Sequence, residues 1–230
     1  MRQRRIVAYI LFSILFISFL MPTVYSQNEY GRVYCKSTET VKKVALTFDD
    51  GPHPRYTEKI LDILSEYGVK ATFFIIGKNA ENYPEAMKKI AETDCEIGNH
   101  TYSHARLDRL NRKDAENEIK KCEDIIYSVT GKRPSVLRPP HGFVSENFSD
   151  IASSMQYNVV LWSIDTLDWS LTPSDTIYTN VMKDLKGGDI ILMHDYVSGG
   201  NTTCDALRKI IPRLLSEGYE FVTISELISE

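Results

Sequence analysis

Residues 44–68 read VALTFDDGPHPRYTEKILDILSEYG, and this pattern decides the fold class. Val44–Phe48 is a short apolar run. Tyr56–Tyr67 then carries Ile60, Leu61, Ile63 and Leu64 at helical spacing, and Gly68 supplies the stop. A strand, a tight turn and a helix in that order make the opening of a β/α unit. Outward from it, the alternation recurs. Ala71–Ile76, Glu96–Gly98, Val136–Leu137, Val159–Ser163, Asp189–Met193 and Phe221–Thr223 read as strands. Helices are expected from Pro84 to near Thr93, and over Lys113–Val129 and Ser145–Met155. Two more run from Thr172 to about Lys186 and over Asp205–Ser216. Six or more such units predict a parallel sheet with outer helices. An incomplete or distorted β/α barrel is the best closure, with an open doubly wound sheet second. No glycine-rich phosphate loop follows the first strand, which argues against a nucleotide site.

With 230 residues, 43% hydrophobic and 25% charged, the chain is neither a disordered tail, a collagen-like rod nor a disulfide-packed miniprotein. Its formal charge of −4 gives no basic face for nucleic acid. Residues 1–26 start with three arginines, continue as an apolar run from Ile6 to Met21 and end with Val24 and Ser26 at small-residue positions. This predicts a secretory signal cut after Ser26, or an uncleaved anchor through residues 6–21. Either leaves the remainder secreted or on the outer face of the cytoplasmic membrane. Without that segment the chain carries 24 basic and 31 acidic residues, a net of −7. Residues 27–41 form a short N-terminal segment, too few for a domain, and 42–230 form one domain. None of the four cysteines sits in a C-x-x-C pair, so disulfides and buried thiols both stay open. Asn99, Asn147 and Asn201 each begin an N-x-Ser/Thr sequon.

The polar residues collect at one end of the expected strands. Asp49-Asp50 follows the first strand, His100 and His104 the third, Arg138 the fourth, Asp165 and Asp168 the fifth, and His194 the sixth. The carboxyl ends of strands are where a β/α barrel builds its active site. His100 and His104 are four apart, on one face if the segment is helical. Two imidazoles and one carboxylate, Asp50, make a ligand set for a catalytic zinc-type ion. Adjacent strand residues point different ways, so Asp49 could stay free to accept a proton from water. Asp-Asp-Gly-Pro is also an ordinary turn sequence. His194 could act as general acid, with Asp168 or Asp165 orienting it and raising its pKa.

Five segments occur in order: Thr47-Phe-Asp-Asp-Gly-Pro52, His100-Thr-Tyr-Ser-His104, Arg138-Pro-Pro-His-Gly142, Asp165-Thr-Leu-Asp-Trp169 and Leu192-Met-His194. They resemble the five signature motifs of the polysaccharide deacetylases, the NodB-homology domain of carbohydrate esterase family 4. The resemblance covers roughly residues 42–228. It implies a distorted (β/α)7 barrel holding a divalent metal, zinc foremost, with cobalt or manganese as alternatives. Asp50, His100 and His104 then correspond to the metal ligands and Asp49 to the catalytic base. Arg138 would hold the carboxylate network, and Asp168 would tune His194, the general acid. Trp169 and Leu192 correspond to walls of the acetyl pocket. Where the family usually carries Tyr, this chain has His141, whose backbone N–H still supplies the oxyanion contact while the rim of the sugar site changes. His53 reads as a turn residue or as support for the ligands.

The resemblance implies metal-dependent amide hydrolysis of an acetylated polysaccharide, with N-acetylglucosamine in peptidoglycan as the expected substrate and a monomer as the expected state. A chitooligosaccharide or xylan deacetylase is the alternative of the same chemistry. A non-catalytic glycan-binding module is the alternative from another class, although such a module would usually lack a ligand, the base or the acid.

Overall fold

The computed structural model describes residues 30–38, 41–196 and 202–229, so the expected signal or anchor and the Asn201 sequon lie outside the described residues. Strand β1 (Val33–Tyr34) precedes the long β2 (Lys43–Gly51), helix α1 (Tyr56–Tyr67), β3 (Thr72–Ile75), α2 (Gly77–Asn82) and α3 (Pro84–Ala91). Then come β4 (Glu96–Asn99), α4 (Arg112–Thr130), β5 (Val136–Leu137), α5 (Glu146–Ser154), β6 (Asn158–Val160) and β7 (Ile164–Asp165). The chain ends with α6 (Ser174–Met182), β8 (Ile190–His194), α7 (Thr202–Ser216), β9 (Glu220–Phe221) and α8 (Ile224–Ile228).

The strands hydrogen-bond in the order β1-β6-β5-β4-β3-β2-β8-β7, with β9 added to β2, and every ladder is parallel. Strand β2 explains why the sheet curls. Val44, Leu46 and Phe48 face the outer helices and pack with Ile60, Ile63 and Leu64 of α1, whereas Ala45 faces inward with Phe74, Val136, Val160 and Ile190. One sheet face is therefore covered by helices and the other encloses its own small core. A doubly wound sheet would place helices on both faces; the fold is a distorted, open β/α barrel. Val222, Ile224 and Leu227 join the inner core from the C-terminal end of the chain. Ile224 N–H donates to Thr72 and Ser225 N–H to Glu96, both at strand starts, so α8 covers the amino end of the barrel and leaves the carboxyl end open.

Helix ends follow local chemistry. Gly68 ends α1 in the left-handed conformation (φ 64°), with its N–H on Ser65 O and the Val69 N–H on Leu64 O. Asn111 caps α4 by accepting from Asp114 N–H, and Thr223 and Glu226 form a reciprocal capping box on α8. Three features differ from the sequence expectation. Of the expected strand 159–163 only Val159 and Val160 belong to a strand, the end of β6; β7 starts at Ile164 beyond it, and the barrel is open between β7 and β1, which covers the edge of β6. Helix α6 stops at Met182 rather than near Lys186, and α2 lies between β3 and Pro84, where no element was expected. At the amino end the N-terminal segment bridges the opening: β1 pairs with β6, Lys36 with Asp189, and Ser37 N–H donates to Gly188 O.

Candidate active site

Strands β2 and β8 are neighbours in register, Asp49 opposite His194, so a carboxylate and an imidazole stand side by side at the open end. Asp50 is the extra residue of a β-bulge: Asp49 pairs with Phe74 and Gly51 with Ile75, skipping Asp50, whose φ is 75°. The bulge corrects the expectation that adjacent carboxylates diverge, because both now line one cavity of about 400 Å³. His100, His104, His141, Trp169, Leu192 and His194 line the same cavity, so eight of the ten residues given a site role by the resemblance converge there. The other two, Arg138 and Asp168, are fully buried behind it.

Asp49 is held from behind. Arg138 Nη1 donates to Asp49 Oδ1 at 2.7 Å and to Thr47 Oγ1 at 2.8 Å, while its Nη2 and Nε donate to the carbonyls of Leu161 and Val160. Every arm of the guanidinium is occupied, as a fully buried cation requires. Phe74 and Trp162 pack on its faces.

His100 is buried, and burial lowers its pKa, so the ring is neutral. Its Nδ1 lies 2.7 Å from the Arg138 carbonyl oxygen, which can only accept, so Nδ1 carries the proton and Nε2 presents a lone pair. That Nε2 lies 3.6 Å from Asp50 Oδ1, and His104 Nε2 lies 3.2 Å from the same oxygen. Asp50 Oδ1 is buried and has no hydrogen-bond partner. Two ring nitrogens and an orphaned carboxylate oxygen within 4.8 Å of one another are donors without an acceptor. Donor atoms about 2.1 Å from a tetrahedral ion lie about 3.4 Å apart, so the spacing fits a divalent cation. The pair is not on a helical turn, however. Thr101 (φ 66°) and His104 (φ 60°) are left-handed, and Asn99 Oδ1 accepts from Thr101 N–H to hold the bend. Positive φ in non-glycine residues is costly, and six of the seven such residues described, all except Gln156, lie in strand-end segments around the cavity.

His194 has a different partner. Its Nδ1 donates to Asp168 Oδ1 at 2.8 Å, its backbone N–H to Asp168 Oδ2 at 2.8 Å, and Thr203 Oγ1 to the same Oδ2. Burial works against the charged ring, yet the Asp168 hydrogen bond and the carboxylates of Asp168, Asp49 and Asp50 together push its pKa up to about 9. The arrangement offers a proton acceptor and a proton donor on opposite sides of a cation site, which suits hydrolysis of a polar bond. Asp165 lines the cavity but makes no hydrogen bond or ion pair with His194; its Oδ1 accepts from Leu167 N–H.

Two residues were not singled out in the sequence. Trp162 lines the cavity and packs so closely under the 138–142 loop that a Cβ on Gly142 would lie 2.7 Å from its ring. Asp195 is fully buried beside His194; its Oδ2 accepts from Thr57 Oγ1, its Oδ1 has no partner, and its pKa is pushed up to about 7 by burial. Its carboxylate lies flat against Gly51, where a Cβ would fall 2.1 Å from Oδ2. His53 occupies the turn between them, its N–H donating to Thr57 Oγ1.

Comparison with known proteins gives one consistent picture. The family described as polysaccharide deacetylase matches residues 36–160. A peptidoglycan-N-acetylglucosamine deacetylase of Bacillus cereus is 44% identical over 187 residues, covering 80% of this chain and 68% of the relative. The crystal structure of the Bc1960 peptidoglycan N-acetylglucosamine deacetylase superposes with a TM-score of 0.84 at 41% identity, covering 87% of this chain and 94% of that one. BA3943 of Bacillus anthracis, a pseudoenzyme of carbohydrate esterase family 4, superposes with a TM-score of 0.80 at 29% identity over 86% of this chain and 69% of that one. The fold alone therefore does not distinguish enzyme from pseudoenzyme; the site must.

Proposed function

This chain belongs to the polysaccharide deacetylase family, and on that footing we propose that it hydrolyses the N-acetyl groups of N-acetylglucosamine residues in peptidoglycan, releasing acetate. One observation carries the reading. A carboxylate fixed by a buried arginine and an imidazole charged by a buried aspartate flank a triad of otherwise unpartnered metal donors. A glycan-binding module has no use for that combination.

Asp50, His100 and His104 are the proposed ligands, and their mixed nitrogen and oxygen donors favour zinc, with cobalt or manganese as substitutes. A bound divalent ion supplies Lewis acidity to the acetyl carbonyl and lowers the pKa of the attacking water. Asp49 is the proposed base: the Arg138 bond to Oδ1 fixes the carboxylate in place to take the proton of the water. The backbone N–H of His141, set by a left-handed φ of 63°, is the proposed oxyanion donor. His194, charged at neutral pH, gives its proton to the departing sugar nitrogen, and Asp168 holds the ring for that transfer. Trp169 and Leu192 form the proposed acetyl pocket.

Export through residues 1–26, with release or retention on the outer face of the cytoplasmic membrane, is proposed from the sequence alone and would bring the enzyme to its polymer. No helix among the described residues is long and apolar enough to cross a membrane. Acetate release from peptidoglycan, chitooligosaccharides and acetylated xylan, with and without added zinc, tests the function. Zinc-dependent release that is greatest from peptidoglycan is the expected result; release greatest from xylan would move the substrate, and none from any would remove the activity.

A further inference from the structure

Outside the cavity, the loops leaving β2 and β8 carry a cluster of rings that the chemistry above does not use. The His53 and Tyr196 rings stack with centroids 4.6 Å apart and planes 5° from parallel, and Tyr56 stacks on His53 at 4.8 Å. Because Asp49 pairs with His194, these loops leave adjacent strands at the base-and-acid edge of the site. The cluster is open and fixed at once. Tyr196 is 43% exposed. Beneath it, the buried Asp195 carboxylate accepts from Thr57, which in turn accepts from His53 N–H, tying the two loops together. His53 Nδ1 accepts from the backbone N–H groups of Arg55 and Tyr56, so the ring is neutral and joins the stack without a charge.

Charge at this edge is one-sided. The Arg55 guanidinium is exposed and makes no ion pair or hydrogen bond with any described residue, and the Lys59 ammonium sits 5.8 Å from the Tyr56 ring centre. The cation on the opposite rim is already engaged: Arg106 pairs with Asp108 and lies 3.7 Å over the Phe143 ring. An unspent cation beside stacked aromatic rings suits a sugar ring with a carboxylate on its edge, the rings taking its apolar face. The patch also has an outer limit. Tyr83 lies 6.2 Å from His53, and past it the charges of the next groove are already paired, Glu58 with Lys89 and Glu85 with Lys88, so it offers a carboxylate no unspent cation.

Resting on the deacetylase reading, we propose that His53, Tyr56 and Tyr196, with Arg55, form a subsite for the sugar next to the one being deacetylated, and that it selects glycans whose neighbouring sugar carries a carboxylate.

The test uses the zinc-loaded full chain and three probes: a neutral N-acetylglucosamine tetramer, a tetrasaccharide alternating N-acetylglucosamine with N-acetylmuramic acid, and the methyl ester of the second. Wild type should favour the free acid over its ester about five- to tenfold in kcat/KM at low salt, with the preference shrinking as salt is raised. Arg55→Glu should collapse that ratio to one or below. Tyr196→Ala should raise KM on both tetrasaccharides several-fold with little change in kcat, while its circular dichroism and Tm show that the fold is kept. Equal hydrolysis of acid and ester by wild type, an unchanged ratio in Arg55→Glu, or an unchanged KM in Tyr196→Ala would overturn the subsite. Absence of acetate from all three probes would instead bring down the deacetylase reading, and the subsite with it.

Discussion

Replacing Asp168 by asparagine isolates what its carboxylate does to His194. Asparagine keeps the size and an acceptor oxygen for the His194 Nδ1–H, so the ring stays oriented while the charge is lost. In the wild-type protein the His194 pKa stands at about 9, and burial alone pulls it down. Without the Asp168 charge it should return to about 6.5 or below. At about pH 7.5 the acid is then ~97% protonated in the wild type but ~9% in the variant, a tenfold loss of rate (roughly) from protonation alone. At about pH 5.5 both are protonated and the deficit nearly vanishes; well above about pH 9 it tends to about 300-fold. The assay is kcat/KM for acetate release from about pH 5.5 to 9.5 at saturating zinc. A deficit of the same size at every pH would refute the reasoning, since it would make Asp168 a purely structural support. Stability gives a second readout of fixed sign. Folded His194 holds its proton more tightly than the unfolded chain does, so its contribution is complete below about pH 6.5 and lost by about pH 9, about 3 kcal/mol in all. Denaturant melts of the wild type should record that loss, and those of Asp168→Asn should not.

Three further outcomes are expected. Asp50→Ala removes the one carboxylate of the donor triad, so zinc affinity measured against a competing chelator should fall by more than the roughly 100-fold typical of losing an outer partner, with activity abolished; unchanged affinity would place the metal elsewhere. Arg138→Met leaves the buried Asp49 carboxylate unpaired, so urea unfolding should show about 3–5 kcal/mol of destabilisation together with inactivity, and a variant as stable as wild type would contradict the buried pair. Asp195 is protonated in the folded state up to about pH 7 but ionised in the unfolded chain above about pH 4, so it destabilises the fold progressively over that interval. Asp195→Asn should therefore raise the Tm of the metal-free protein at about pH 8 and leave it unchanged at about pH 4, and the same shift at both values would refute the ionisation account.

The legible part of this protein is the part written in period and turn chemistry. Strand β2 alternates side chains between two apolar environments, Gly68 ends α1, and the chemical residues stand at strand ends, so barrel and site could be read together. What stayed hidden depends on long-range pairing or on single backbone angles. Val33–Tyr34 is too short to show a period and is a strand only because β6 offers an edge. The 159–163 run looks like one strand because Val159–Trp162 is apolar, yet the chain leaves the sheet at Leu161 and re-enters only at Ile164, which is what brings Trp162 to the cavity. The expectation that Asp49 and Asp50 diverge follows from strand geometry and fails at a bulge, which no residue pattern announces. Asp195 had a signal, a carboxylate directly after His194 at the end of an apolar strand, but its burial against Gly51 and Thr57 is a tertiary fact.

The histidines show how one side chain is given different work by the partner of a single nitrogen. At His100, Nδ1 faces a backbone carbonyl, which demands a proton there and adds no net charge; burial then keeps the ring neutral, and Nε2 is left as a lone pair. At His194, Nδ1 faces a carboxylate, which demands the same proton but also stabilises a second, and the ring becomes an acid charged at neutral pH. At His53, Nδ1 faces two N–H donors, which forbid a proton there and leave a neutral ring for stacking. Exchanging the partners would exchange the roles: a carboxylate behind His100 would favour its imidazolium and weaken a metal site, while a carbonyl behind His194 would leave no acid at neutral pH. Identity and spacing of the histidines therefore locate the chemistry, but the atom behind each ring assigns it. For His100 that atom belongs to Arg138, the residue that also fixes Asp49, so the proposed ligand and the proposed base are oriented by one buried side chain and its own backbone.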